Sequence, residues 1–159
     1  MTAISLFENH SLWAALTAWF LAQVLKMPIY YLSAKQWDWG LLLSAGGMPS
    51  SHSALVSAAA YAIGLFQGFD RPVFALAVTL AVIVIYDATG IRRQAGKHAA
   101  LINTIIRDLK EGHLLRKGHP LRQETQEQLK EVLGHTPLEA MAGTIFGIII
   151  AQIFWIRWG

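Results

Sequence analysis

Apolar residues along this chain gather into four runs separated by polar breaks, at roughly 12 to 32, 53 to 69, 72 to 89 and 138 to 158. The last is the cleanest, Met141 to Trp158 being almost free of charge. A bilayer span needs about 20 apolar residues, and somewhat fewer suffice where the ends lie in protein or in thinned bilayer, so each run predicts a transmembrane helix. Gln67, Gly68, Phe69 and Asp70 read as a tight turn and Pro72 suits a first helical turn, which makes the second and third runs a hairpin. Between Ile91 and Leu133 the character changes. Ala95, Ala99, Ile102, Ile105, Ile106 and Leu109 recur at helical spacing in an otherwise polar stretch, predicting an amphipathic helix at the membrane surface. After a break around Gly118 and Pro120, Leu121 to Leu133 is more polar and reads as a solvated helix.

The expected fold is therefore all-α: an integral membrane bundle of about four transmembrane helices plus an amphipathic interfacial helix. Composition agrees, with 54% hydrophobic and 14% charged residues where a soluble domain carries about 25% charged. A length of 159 residues leaves no room for a second core, so residues 1–159 are expected to form a single membrane domain with a polar, cytoplasm-facing helical segment at about 91–135. Cysteine is absent, which excludes a disulfide framework, a thiolate metal site and a thiol nucleophile. Glu8 and His10, but no Lys or Arg, precede the first apolar run. The basic start of a cleavable signal peptide is missing, and the first helix is expected to stay in the mature protein.

Charge placement carries the first functional inference. With four spans, the loop holding Lys35 and the long polar segment share one membrane face with the end of the first span, and of all the Lys and Arg only Arg71 and Arg157 fall on the other. The positive-inside rule makes the basic face cytoplasmic in a multi-pass protein of the cell membrane. The tryptophans, including Trp37, Trp39, Trp155 and Trp158, read as an interfacial belt.

Three polar motifs lie on that basic face. Gly46-Gly47-Met48-Pro49-Ser50-Ser51-His52-Ser53-Ala54 sets hydroxyls and an imidazole at the start of an apolar helix, where free backbone amides and the dipole favour an anion; Ser50 or Ser51 would also serve as a simple cap. In Tyr86-Asp87-Ala88-Thr89-Gly90-Ile91-Arg92-Arg93 an acid ends the third span and two guanidiniums follow. Arginine forks match phosphate oxygens, although an Asp–Arg pair beside a positive-inside flank accounts for the same residues. In Gly134-His135-Thr136-Pro137-Leu138-Glu139, Thr136, Pro137 and Glu139 form a capping box. The box leaves His135 unexplained, and a histidine with a carboxylate four residues on suits a nucleophile or base whose ring is held by the carboxylate. Lys26 interrupts the first span. Such a lysine either snorkels, the commoner fate, or pairs with an anion. His10, His113 and His119 read as solvated loop residues, and His98 has weak claims to a role.

Together these motifs resemble the divergent branch of the type 2 phosphatidic acid phosphatase superfamily, nearly end to end. The resemblance implies that Pro49-Ser50-Ser51-His52 corresponds to a Pro-Ser-Gly-His motif, with His52 the general acid and Ser50 and Ser51 among the phosphate donors. It further implies His135 as nucleophile, Glu139 as its orienting carboxylate in place of the usual Asp, and Lys26 as a phosphate-binding cation. The parent motif's arginine six residues before the nucleophile is replaced by Leu129, with Lys130 beside it, and no Arg-Pro follows Lys26 at the usual spacing. Arg92 and Arg93 are the expected replacements, with Asp87 beside them in the catalytic group.

The leading expectation is a membrane lipid phosphatase acting through a phosphohistidine, with a phosphorylated lipid as substrate, the bilayer as its medium, and neither metal nor other cofactor. No nucleic-acid partner is expected; four spans are few for enclosing a site, which leaves the oligomeric state open and a homodimer among its options. Two alternatives stay open: a metal-dependent lipid phosphotransferase using Asp87, His52, His135 and Glu139, and a non-catalytic anionic-lipid binding or transport protein.

Overall fold

The computed structural model describes residues 6–37, 39–40, 46–111 and 134–159. Helices α1 (His10–Ala34), α2 (Ser51–Gln67), α3 (Pro72–Thr89), α4 (Ile91–Glu111) and α5 (Pro137–Trp158) follow one another along the chain. Long uncharged runs become helices here because hydrocarbon offers backbone amides no partner outside their own segment. The expected solvated helix at Leu121 to Leu133, with His113 and His119, lies outside the described residues.

The bundle has two ends. At one, His10 of α1 stacks on Trp158 of α5 at 5.8 Å and packs against Phe66 of α2 at 5.6 Å. His10 is thus the half-buried start of a helix rather than a solvated loop residue. At the other end, His52 of α2 neighbours His135, just ahead of α5, at 6.3 Å between ring centroids. Helix α2 therefore crosses the same thickness as its neighbours although it has only 17 residues, about 25 Å of rise. The chain segments His10–Leu32, Pro72–Arg107 and Pro137–Trp158 are each long and apolar enough to cross a bilayer; α2, shorter than these, is the helix the others surround.

Packing is inverted relative to a soluble protein. The core consists of Ala14, Ala18 and Ala22 of α1, Ala54, Ala58 and Ala62 of α2, and Ile150 and Ala151 of α5. Large side chains such as Leu76, Leu80 and Ile83 of α3 and Ile145, Ile149 and Ile153 of α5 point outward. Lipid tails solvate leucine as well as a protein core does, so helices associate where small residues let backbones approach. The α2–α5 interface is the most extensive. A Cβ on Gly143 would collide with the Ser50 carbonyl, and one on Gly147 with the Ser57 hydroxyl and the Ala54 carbonyl. In the space so gained, the Ser50 N–H donates to the Glu139 carbonyl at 3.1 Å and the Ser57 hydroxyl to that of Thr144 at 3.1 Å.

Gly143→Leu and Gly147→Leu must force α2 and α5 apart, an overpacking that costs about 1–3 kcal/mol or more. Thermal unfolding in detergent should show both midpoints lowered by several degrees, with Ile145→Leu on the lipid-facing side unchanged. Equal midpoints for all three variants would contradict this account of the interface.

Candidate functional site

The His52 end of the bundle collects ionisable groups from every helix. In α1 the stripe Ala14, Ala18, Ala22 continues one turn to Lys26, since residues four apart share a helix face. Lys26 is accordingly 1% exposed, buried within the bundle rather than snorkelling to the interface. Its charge acts on Glu139, His135 and His52.

Ser50 caps α2: its hydroxyl oxygen accepts from the Ser53 N–H at 3.2 Å and from the Ser53 hydroxyl at 3.0 Å. Both Ser50 and Ser51 are buried, and neither lines the cleft described below. His52, in the first turn of the helix, does.

His135 is held at two points. Its backbone N–H donates to the Ala88 carbonyl at 2.8 Å, which ties it to the end of α3. Gly134 makes this possible, with φ of 82° and its Cα against the Ala88 carbonyl and the Arg92–Arg93 backbone; a Cβ there would push the segment away. The ring's Nδ1 lies 3.0 Å from Glu139 Oε2. That same oxygen accepts from the Thr136 N–H at 3.3 Å while Thr136 Oγ1 accepts from the Glu139 N–H at 3.3 Å, completing the capping box. An Nδ1–H donated to the carboxylate leaves the Nε2 lone pair outside that bond, and Nε2 is buried without a hydrogen-bond partner among the described residues.

Beside His135 opens a cleft lined by His52, Val84, Asp87, Ala88, Arg92, Gly134 and His135 itself. Its enclosed part, about 20 Å³, holds about one water, so a larger group would sit across the mouth. Arg92 stands there half exposed, its Nε bonded to Asp87 Oδ2 at 2.6 Å. The pair bridges the break at Gly90, where α3 gives way to α4. Arg93 is exposed and outside the cleft lining, and His98 is also exposed. Among the described residues, no three His, Asp or Glu side chains are grouped to hold a metal ion.

Burial pushes the His135 imidazole below its ordinary value, with the Glu139 hydrogen bond and charge pulling it back and Lys26 and Arg92 adding to the fall. Neutral imidazole is thus the resting form. Sequence reasoning singled out both histidines, Glu139, Asp87, Arg92 and Lys26, which the fold gathers at one end of the bundle. It missed Gly143 and Gly147, although Gly-x-x-x-Gly in an apolar helix signals close packing, and it missed the Ala88 carbonyl, a backbone group that no side-chain pattern reveals.

A family model described as the Divergent PAP2 family matches residues 7–150. A Bacillus subtilis (strain 168) protein described as the uncharacterized membrane protein YuiD is 40% identical over 152 residues, covering 94% of this chain and 96% of that protein. No solved structure matches the chain.

Because folding holds the His135 pKa below 6.5, the unfolded chain takes up a proton first as pH falls. The stability gained by burying the neutral ring is complete above that value and is lost as pH falls from it toward the folded-state pKa. Histidine NMR titration, with His135 assigned from a His135→Asn spectrum, should give a midpoint under 6.5, and Glu139→Gln should lower it further. A midpoint at or above the ordinary value would refute this electrostatic picture.

Proposed function

The chain belongs to the divergent PAP2 family, and on that premise we propose that it is a membrane lipid phosphatase, hydrolysing a lipid phosphate or diphosphate through a phosphohistidine intermediate. The observation that carries this reading is His135 Nε2: a buried nitrogen with no hydrogen-bond partner among the described residues, on a ring whose other nitrogen is held by a carboxylate, in a residue that lines a cleft with a guanidinium at its mouth. Buried polar atoms are nearly always satisfied, and exceptions call for a reason. A nucleophile awaiting phosphorus is such a reason.

In the proposed reaction the Nε2 lone pair of His135 attacks phosphorus in line, and the bond from phosphorus to the lipid oxygen breaks. His52, with its ring 6.3 Å from that of His135, delivers a proton to the departing oxygen. Water then attacks the phosphohistidine, giving its proton to His52 and releasing inorganic phosphate. Arg92 spends Nε on Asp87 and turns its Nη donors to the phosphoryl oxygens. Lys26 supplies positive charge from behind, as a transition state rich in oxygen charge requires. Ser50 and Ser51 act indirectly, by fixing the first turn that carries His52. Arg93 adds to the positive potential outside the cleft.

The substrate enters from the bilayer, and the site faces the cytoplasm, with Arg71 and Arg157 at the opposite end. A reporter fused after Gly159 should accordingly behave as extracytoplasmic; a cytoplasmic signal would invert the assignment.

Phosphate release from a panel of lipid phosphates and diphosphates, using protein purified in detergent, tests the reaction. Wild type should release phosphate with and without EDTA. His135→Ala should fall to background, and His52→Ala should lose about 10²–10⁴-fold, the range of a general acid. Loss of release in EDTA would shift the reading to a metal-dependent phosphotransferase. No release from any lipid, with headgroup binding intact in both variants, would replace catalysis by anionic-lipid binding or transport.

A further inference from the structure

Helix α4 is the element that the bundle does not absorb. It packs on α3, from which it continues, and shares no substantial interface with α1, α2 or α5 among the described residues. Gly96 and Ala99 on one side are buried. Ile91, Ile102 and Ile105 lie eleven and fourteen residues apart, which puts them on one stripe of a helix. They are 63%, 43% and 49% exposed.

The stripe opposite carries Arg93, Lys97 and Arg107, all exposed, with Thr104 among them. Across the whole stretch from Ile91 to Arg107 the chain has Arg92, Arg93, Lys97 and Arg107 and not one Asp or Glu. Among the described residues the ion pair in this stretch is Arg92 with Asp87. An apolar edge set against exposed cations, on a helix that leaves a transmembrane span at the interface, has the chemistry of a surface-seeking helix that prefers anionic headgroups.

We propose that α4 is an anionic-lipid docking arm: Ile91, Ile102 and Ile105 enter the headgroup boundary of the leaflet from which α3 emerges, and Lys97 and Arg107 engage its anionic headgroups. The occupant is the bilayer surface itself. The arm and the candidate site share an element, because the first turn of α4 carries Arg92 to the cleft mouth and the Gly134–His135 backbone rests on the same turn. The proposal stands independently of the phosphatase reading, since it concerns where the helix lies and not what the cleft does.

The cysteine-free chain offers a clean background for the test. Ile102→Cys and, as the polar-face control, Thr104→Cys are labelled with an environment-sensitive fluorophore. Each is reconstituted in nanodiscs of phosphatidylcholine alone or with phosphatidylglycerol, containing spin-labelled lipid as quencher. The label at 102 should be quenched more strongly in the anionic discs and the label at 104 only weakly in either. Adding Lys97→Gln and Arg107→Gln should abolish the dependence on phosphatidylglycerol, each lost cation weakening surface partition about fivefold. Equal quenching at 102 in both compositions would overturn the proposal. So would protection of 102 from quencher in both, whether or not the same cysteine cross-links two copies, because the face would then be covered by protein.

Discussion

The close approach of α2 and α5 is the constraint on which the rest depends. Two glycines set it: at Gly143 and Gly147 the α5 backbone lies against the Ser50 and Ala54 carbonyls with no room for a methyl group. In hydrocarbon, nothing resembling the hydrophobic effect draws these helices together, so contact must come from close packing and interhelical hydrogen bonds. The Ser50 N–H to Glu139 carbonyl bond, at 3.1 Å, exists only at that separation. Through it the first turn of α2, carrying His52, is registered against the first turn of α5, carrying Glu139, and the two histidine rings become neighbours.

That registration brings together groups which separately would be poor tenants of a membrane protein. A buried ammonium or imidazole is costly unless something compensates it. Here Lys26 has the Glu139 charge within its field, and Glu139 in turn holds Nδ1 of His135. His135 escapes most of the penalty by staying neutral. Arg92 and Asp87 solve the same problem at the rim, with partial exposure and a direct ion pair. The net result is positive potential beside a neutral nitrogen, the surrounding that the proposed attack on a phosphoryl group requires.

Much of this was legible in the sequence, for physical reasons that differ by residue. Spans appear as apolar runs, and their ends fell within two residues of expectation because Asn9, Ser50, Pro72 and Thr136 mark helix starts chemically. Lys26 was legible: the family resemblance already set it among the site's cations against the usual snorkelling habit of lysine, and the Ala14, Ala18, Ala22 stripe explains why it faces inward. Ser50 was legible as both a cap and a phosphate donor, and its hydroxyl sits inside the cap. What could not be read were backbone contacts. The Ala88 carbonyl that receives the His135 N–H, and the fit of Gly134 against the Arg92–Arg93 backbone, come from how α3 and α5 meet, and no local pattern encodes that meeting.

Glu139 shows why a structural and a functional explanation of one residue need not compete. Its Oε2 accepts from the Thr136 N–H, as any capping box requires, and the same atom lies 3.0 Å from His135 Nδ1. A cap contributes about 1 kcal/mol and a glutamine could supply it, since only an acceptor oxygen is needed. Holding an imidazole that becomes phosphorylated, as the proposed reaction has it, calls for the full negative charge. The helix start fixes the carboxylate's position, and the fixed carboxylate then fixes the ring. Where a cap and a site share an atom, the cap is what makes the site rigid, so a capping box beside a buried histidine strengthens the case for chemistry there.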